Sequence, residues 1–224
     1  MAELWAGIRS ELPIALGVIP FGLIYGVLAL AAGLTPAQGQ AMSAVVFAGS
    51  AQFIGAQLMG VGTPLSVLWL TTFVVNVRHV LYATSLGPDM RHLPRRWRFL
   101  LAYLLTDEAY ATTAVHYANK SIPLTFKHWF FLGAGLTLWT VWQVSTAVGI
   151  FLGAAVPESW SLDFTLALTF IGIVVPNLRD RPVTAAALSA GVMAVLAYGL
   201  PYKLGLMAAA LTGIGVGVVL ENWR

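Results

Sequence analysis

Long apolar runs, separated by short joints rich in proline and glycine, set the pattern of this chain. With a window of about 19 residues they fall at 12–34, 37–60, 64–86, 98–117, 128–156, 162–176, 183–200 and 204–220. Runs such as 183–200 are apolar on every side. Barrel strands alternate polar and apolar residues over about ten positions, so the pattern predicts helices. A hydrocarbon core roughly 30 Å thick takes about 20 apolar residues to cross as a helix, and lipid offers the backbone no hydrogen-bond partners. The expectation is an all-α, polytopic transmembrane bundle of about seven to eight hydrophobic segments in a single domain, 1–224, with one or more segments broken or re-entrant.

The joints fall at Thr35 and Pro36, at 62–64, at Gly87 and Pro88, and at Pro123, Pro157, Pro182 and Pro201. The first segment is longer than a signal-peptide core and is preceded by a single basic residue, Arg9, so it reads as a retained span. The second differs from the rest. It carries Gln38, Gln40, Ser43, Ser50, Gln52 and Gln57, with Gly49 and Gly55 interrupting its middle. Polar groups in lipid are costly unless they face a cavity or a partner, so this segment is expected to line something.

Arg91, Arg95, Arg96 and Arg98 form the densest basic cluster, which places the loop between the third and fourth segments in the cytoplasm. If 37–60 crosses fully, the amino terminus is outside; if it re-enters, the terminus is inside. A short echo relates FVVNVR at 73–78 to IVVPNLR at 173–179, as an inverted repeat or as chance in apolar sequence.

Composition narrows the class further. Hydrophobic residues make up 58% of the chain and charged residues 9%, against about 25% charged in soluble domains. There is no cysteine, which excludes disulfide and thiolate chemistry and leaves soft metals without their usual ligand. The net charge of +3 belongs to loops rather than to a basic surface, which argues against nucleic acid as a partner.

Three charged residues lie deep in apolar segments: Arg78 in the third, and Asp107 with Glu108 in the fourth. A lone ion there costs several kcal/mol, so each needs a partner or a function. Arg78 lies about nine residues before Gly87 and Asp107 about nine after Arg98, which puts each roughly 13 Å from the same loop. In an antiparallel hairpin the two meet at one depth, and an Arg78–Asp107 ion pair is expected. It serves either function or simply the locking of the hairpin.

Thr72, Asn76 and His79 share one face of the third segment, with Tyr82 beside Arg78 on the next. On the fourth, Tyr103, Asp107, Tyr110 and Tyr117 form a stripe at helical spacing. Glu108 points about 100° away, and is either a proton-exchanging carboxyl or a neutral group bonded to a neighbouring helix. The small residues of FAGSAQF, 47–53, suit a helix break with donors aimed at a substrate carboxylate, or equally a close packing contact. Glycine pairs at Gly22 and Gly26, Gly149 and Gly153, and Gly213 and Gly217 read as packing seams. His92, His116 and His128 sit at segment ends without metal-ligand spacing, and no HExxH, GxSG or phosphate loop occurs.

PFGLIYG at 20–26, FAGSAQF at 47–53, NVRHVLY at 76–82 and LLTDEAY at 104–110, followed by DFTLALTFIGIVVP at 163–176, resemble in order the motifs of the AzlC family. The resemblance implies the large subunit of a two-component exporter of branched-chain amino acids in the bacterial plasma (inner) membrane, with a small AzlD-type membrane subunit as partner and no cofactor. It carries Gln52, Asn76, Arg78, His79, Asp107 and Glu108 into the expected site, which the residues themselves extend to Ser50 and Tyr110. Rival classes are an intramembrane enzyme and a non-transporting assembly subunit.

Overall fold

The computed structural model describes residues 1–118, 123–155, 178, 180–201 and 204–222. Every regular element among them is a helix: α1 (Ala2–Ala31), α2 (Pro36–Val46), α3 (Gly49–Gly60), α4 (Leu65–Asn76), α5 (Arg78–Met90), α6 (Arg95–Tyr103), α7 (Asp107–Tyr117), α8 (Leu124–Ala155), α9 (Arg181–Leu196) and α10 (Leu204–Asn222). They fall into two compact units, Met1–Gly62 with Leu68–Ala155, and Thr63–Val67 with Val156–Arg224.

The first unit is organised on α1 and α8. Both are long and apolar enough to cross a bilayer. They run parallel: Gly7 faces Phe130, Gly22 faces Ser145, and Gly26 faces Gly149 and Ile150. A side-chain carbon on Gly149 would lie 2.1 Å from the Leu23 carbonyl oxygen, and one on Gly26 would lie 2.5 Å from the Ile150 nitrogen. Only hydrogen permits this approach, which gives dispersion contact along the whole seam where lipid supplies no hydrophobic driving force. Pro13 and Pro20 of α1 stay on its exposed side.

Two pairs of short helices depart from the expected crossings. Thr35 caps α2 in a reciprocal box with Gln38, helped by Pro36 at the first helical position. The helix ends at Phe47, whose backbone is left-handed (φ 37°, ψ 48°). The chain then turns back as α3, so that Met42 meets Gly55 and Gly60 returns to Ala32 at the end of α1. Segment 37–60 therefore enters and leaves on one face. Segment 98–117 does the same from the opposite face. α6 starts with Trp97 against His128 and climbs until Leu104 packs on Gly135. After the turn at 104–106, α7 descends until Tyr117 donates to the Lys127 carbonyl.

The expected crossing at 64–86 bends by 41° between α4 and α5. With the two re-entrant hairpins counted out, the described spans are α1, the bent α4–α5, α8 and α10, fewer than the seven to eight segments expected. Uniform hydropathy hides the breaks, because a re-entrant helix buried in protein is as apolar as one that crosses. Segment 162–176 and most of the 173–179 half of the sequence echo lie outside the described residues. The inversion that is visible relates α1 plus hairpin α2–α3 to α4–α5 plus hairpin α6–α7, an arrangement of the inverted-repeat kind.

The second unit's described helices, α9 and α10, are antiparallel. Asp180 caps α9 through the Val183 amide at 2.9 Å. Gly205 packs on Ala197, and Gly213 and Gly217 on Ala186, so this glycine pair too is a seam.

Glu3 joins His116 at 2.8 Å and Asp89 joins Lys127 at 2.8 Å, which puts the beginnings of α1, α6 and α8 and the ends of α5 and α7 on one face. Arg91, Arg95, Arg96, Arg98 and Lys127 all lie there, and by the excess of basic charge that face is the one expected in the cytoplasm. The cysteine-free chain allows a direct check. Single cysteines at Ala2 and His92 are expected to react with an impermeant maleimide from the cytoplasmic side and one at Val61 from the other. Labelling of Ala2 and His92 from opposite sides would contradict the re-entrant arrangement of α2–α3. Gly149→Ala is expected to lower unfolding stability by about 1–3 kcal/mol through overpacking, measured by thermal melting in detergent.

Candidate functional site

The two hairpin tips meet beside the bend of the α4–α5 span, so three helices begin at one level: α3 at Gly49, α5 at Arg78 and α7 at Asp107. Each start leaves backbone N–H groups without intrahelical partners and carries positive partial charge. The sequence builds each break differently. In the first, bulky Phe47 holds a left-handed conformation that costs roughly 1–2 kcal/mol, offset by its burial and by its ring lying 5.9 Å from that of Tyr103. Gly49 follows because a side chain there would meet the Trp142 ring at 3.2 Å. In the third, Thr106 caps α7 by accepting from the Ala109 amide, and Asp107 and Glu108 occupy the first turn, where acidic groups favour the dipole.

Arg78 joins the two hairpins. One guanidinium nitrogen, Nη1, lies 2.9 Å from Asp107 Oδ2, and the other, Nη2, donates to Ser50 Oγ. The pair is half-buried, with side-chain exposures of 35% and 39%. Asp107 reaches this depth because α6 climbs to it and α7 starts there, rather than as the middle of one continuous helix. The expected stripe of Tyr103, Asp107, Tyr110 and Tyr117 is accordingly broken. Tyr103 ends α6, donates to the Ala44 carbonyl across the tips and accepts from Trp139 at 2.7 Å. Tyr110 donates to Ser85 at 3.1 Å and stacks on Tyr82 at 4.3 Å, and Tyr117 lies at the basic end of the unit with Lys127 over its ring.

The remaining expected residues surround this junction to different degrees. Asn76 precedes the bend, and its carbonyl contacts His79 Nδ1 at 3.1 Å, which turns the imidazole along α5 toward Tyr82. Gln52 is wholly buried on α3. Glu108 makes no ion pair with Arg78, although it feels that charge, and it lies near enough to Glu11 of α1 for the two acids to interact electrostatically. Several buried polar atoms here make no hydrogen bond within 3.5 Å: Arg78 Nε, Asp107 Oδ1, Asn76 Oδ1 and both side-chain ends of Gln52, with the Tyr82 hydroxyl near Asp107 and the Tyr25 hydroxyl near Gln52. Buried groups of this kind are rare and mark places where a ligand or water completes the bonding. No cluster of three or more His, Cys, Asp or Glu side chains suitable for a metal occurs among the described residues.

Beside the junction an apolar recess of about 410 Å³ runs between hairpin α2–α3 and α4, lined by Met42, Ala51, Gly55, Leu68 and Thr72 and closed by Asn76. Hairpin α2–α3 is tied to α8 by polar groups that hydropathy reading passes over: Gln40 donates to Gln143 at 2.7 Å, Gln143 donates to the Ser43 carbonyl, and Ser43 meets Thr146 at 3.1 Å. Glu11 also escapes that reading. It stands one position before the first apolar run, yet is completely buried in α1.

The fold and this junction define a polytopic helical membrane protein whose polar centre is built from helix ends inside the bundle. The chain belongs to the AzlC family, whose model, described as AzlC protein, matches residues 13–156. It is 25% identical to the inner membrane protein YgaZ of Escherichia coli strain K12 over all of this chain and 93% of that protein. It is 30% identical to a membrane protein of Archaeoglobus fulgidus over 97% of this chain and 93% of that one. It is 28% identical to the branched-chain amino acid transport protein AzlC of Bacillus subtilis strain 168 over 78% of this chain and 69% of that protein. No solved structure matches it.

Because lysine is a point charge and lacks the planar fork, Arg78→Lys is expected to hold only one of the two hairpins. Thermal melting should fall by the equivalent of about 1–3 kcal/mol, whereas an unchanged melt would show that Arg78 does not tie the tips.

Proposed function

We propose that this chain is the large subunit of an exporter of branched-chain and other small apolar amino acids, working by alternating access and driven by an ion gradient together with a small AzlD-type membrane subunit. The observation that carries the proposal is the set of unpartnered donors and acceptors where three helix amino ends converge. An amino acid is a zwitterion with a carboxylate and an ammonium on one carbon. Its carboxylate suits Arg78, Ser50 and the amino ends of α3 and α5, as in transporters built from broken helices. Its ammonium suits Asp107 Oδ1 and Asn76 Oδ1, and its side chain suits the apolar recess.

Arg78 cannot serve Asp107 and a substrate carboxylate fully at the same time. In this proposal the guanidinium exchanges between them: paired with Asp107 when empty, turned to the carboxylate when loaded, so that substrate loosens the contact between the hairpin tips. His79, Gln52, Glu108 and Tyr110 complete the surroundings as positioning or coupling groups. Because one methylene in an apolar pocket is worth only about 1–3 kcal/mol, valine, leucine, isoleucine and methionine are all expected to pass.

The test is efflux of labelled leucine from cells expressing the chain with and without its small partner. An exporter releases unaltered leucine, and Asp107→Asn lowers the rate by about tenfold or more at equal membrane abundance, since it removes an ionic contact worth about 1.5–3 kcal/mol. Chemically altered product would favour an intramembrane enzyme instead. Full efflux from the Asp107→Asn complex would favour an assembly subunit.

A further inference from the structure

We infer that Glu11, buried in α1 near Glu108 of α7, is a proton-carrying site that couples transport to the proton gradient. The inference rests on the transport reading above and names its coupling ion. Glu11 is 0% exposed, and its carboxyl oxygens make no hydrogen bond within 3.5 Å, the Thr112 hydroxyl being the polar group that interacts with them. Its neighbours on α7 are Thr112 and Glu108. The adjoining Thr113 hydroxyl is likewise fully buried and unpartnered.

Among the described helices packed on α1 no cation is free to pair with Glu11, although the charge of Arg78 is felt at Glu108. α2 and α3 contain no titratable side chain. On α8, Lys127 is committed to Asp89 and Tyr117, and His128 lies against Trp97. On α7, His116 pairs with Glu3, Asp107 with Arg78, and the Tyr110 hydroxyl bonds Ser85. Tyr117 donates to the Lys127 carbonyl. On α1 itself, Arg9 is exposed at the surface, and Tyr25 donates to the Gly39 carbonyl farther along the helix. An ionised Glu11 would bury charge with no cation to offset it, at a cost of several kcal/mol. A proton on Glu11 removes that cost and turns the acid into a donor for a neighbouring oxygen such as the Thr112 hydroxyl. A metal cation would need more oxygen ligands than two carboxyls and neighbouring hydroxyls provide, and no metal-binding cluster occurs among the described residues.

The position links this proton to substrate. Asp107 and Glu108 are consecutive in the first turn of α7, one paired with Arg78 and the other in electrostatic reach of Glu11. Gain or loss of the proton changes the charge felt at the start of the same helix that holds the Arg78 partner. A shift of the α6–α7 hairpin therefore alters proton site and substrate site together, with Glu11 fixed in the α1–α8 scaffold.

The test uses proteoliposomes of the full chain with its small membrane partner and a trapped pH indicator. A leucine gradient is imposed, and leucine–leucine exchange and lumenal pH are followed in parallel. The wild type is expected to move protons with leucine, independently of sodium. Glu11→Gln, the isostere of the protonated acid, should keep exchange within about twofold while proton movement falls by about tenfold or more. Glu11→Asp should keep proton movement with a displaced pH profile. Coupling intact in Glu11→Gln would overturn the inference, as would coupling that follows sodium rather than protons. Equal loss of exchange and coupling in both variants would also overturn it, by assigning Glu11 a purely structural role. Absence of leucine exchange in the wild type would instead sink the transport reading itself, and the coupling role with it.

Discussion

A single guanidinium set between two inserted helical hairpins is the contact on which this arrangement depends. Each hairpin exposes helix ends in its interior, and those ends need partners that lipid cannot give. Arg78 joins side chains that stand at two of those ends, with Asp107 at 2.9 Å on one side and Ser50 on the other. Its own charge is tolerated for the same reason, because an arginine fork shared between a carboxylate and a hydroxyl is far less costly than a bare ion. Tyr103, bonded to the Ala44 carbonyl and to Trp139, seals the tips beside it.

The framework around that contact divides into a rigid and a looser part. The glycine seam of α1 and α8 leaves no room for side-chain carbons, and interfaces packed this closely do not slide without cost. The hairpins are short, end in turns, and are held by polar bonds such as those among Gln40, Gln143, Ser43 and Thr146. Alternating access by movement of inserted elements against a fixed scaffold suits this division. Glu11, buried on the scaffold, and Glu108, on the inserted hairpin, lie in electrostatic reach of each other across the boundary between the two.

The helical membrane class was legible from the apolar runs alone, since no other backbone structure satisfies itself in lipid over such lengths without strand alternation. Depth counting also put Arg78 and Asp107 on one level, because both are measured from the loop after Gly87. The route was not legible. Hydropathy reads 37–60 and 98–117 as crossings, whereas Phe47 and the turn at 104–106 send the chain back. The glycines and glutamines of 37–60 hinted at its break, but LLTDEAY carries no such composition, and only Thr106 with two acids behind it marked a helix start. Glu11 was missed because it borders the first apolar run, where a charge looks solvated until α7 and α8 are packed over it.

The central claim is that Arg78 and Asp107 act as one unit joining the two hairpins, and a double-mutant cycle on unfolding free energy tests it most directly. Arg78→Gln, Asp107→Asn and the double variant are compared by reversible denaturation in detergent. Destabilisations that are non-additive by about 1 kcal/mol or more, with the double variant little worse than either single one, are the predicted result. Additivity within about 0.3–0.5 kcal/mol would contradict the account, since it would mean that the two residues share no energy across the tips.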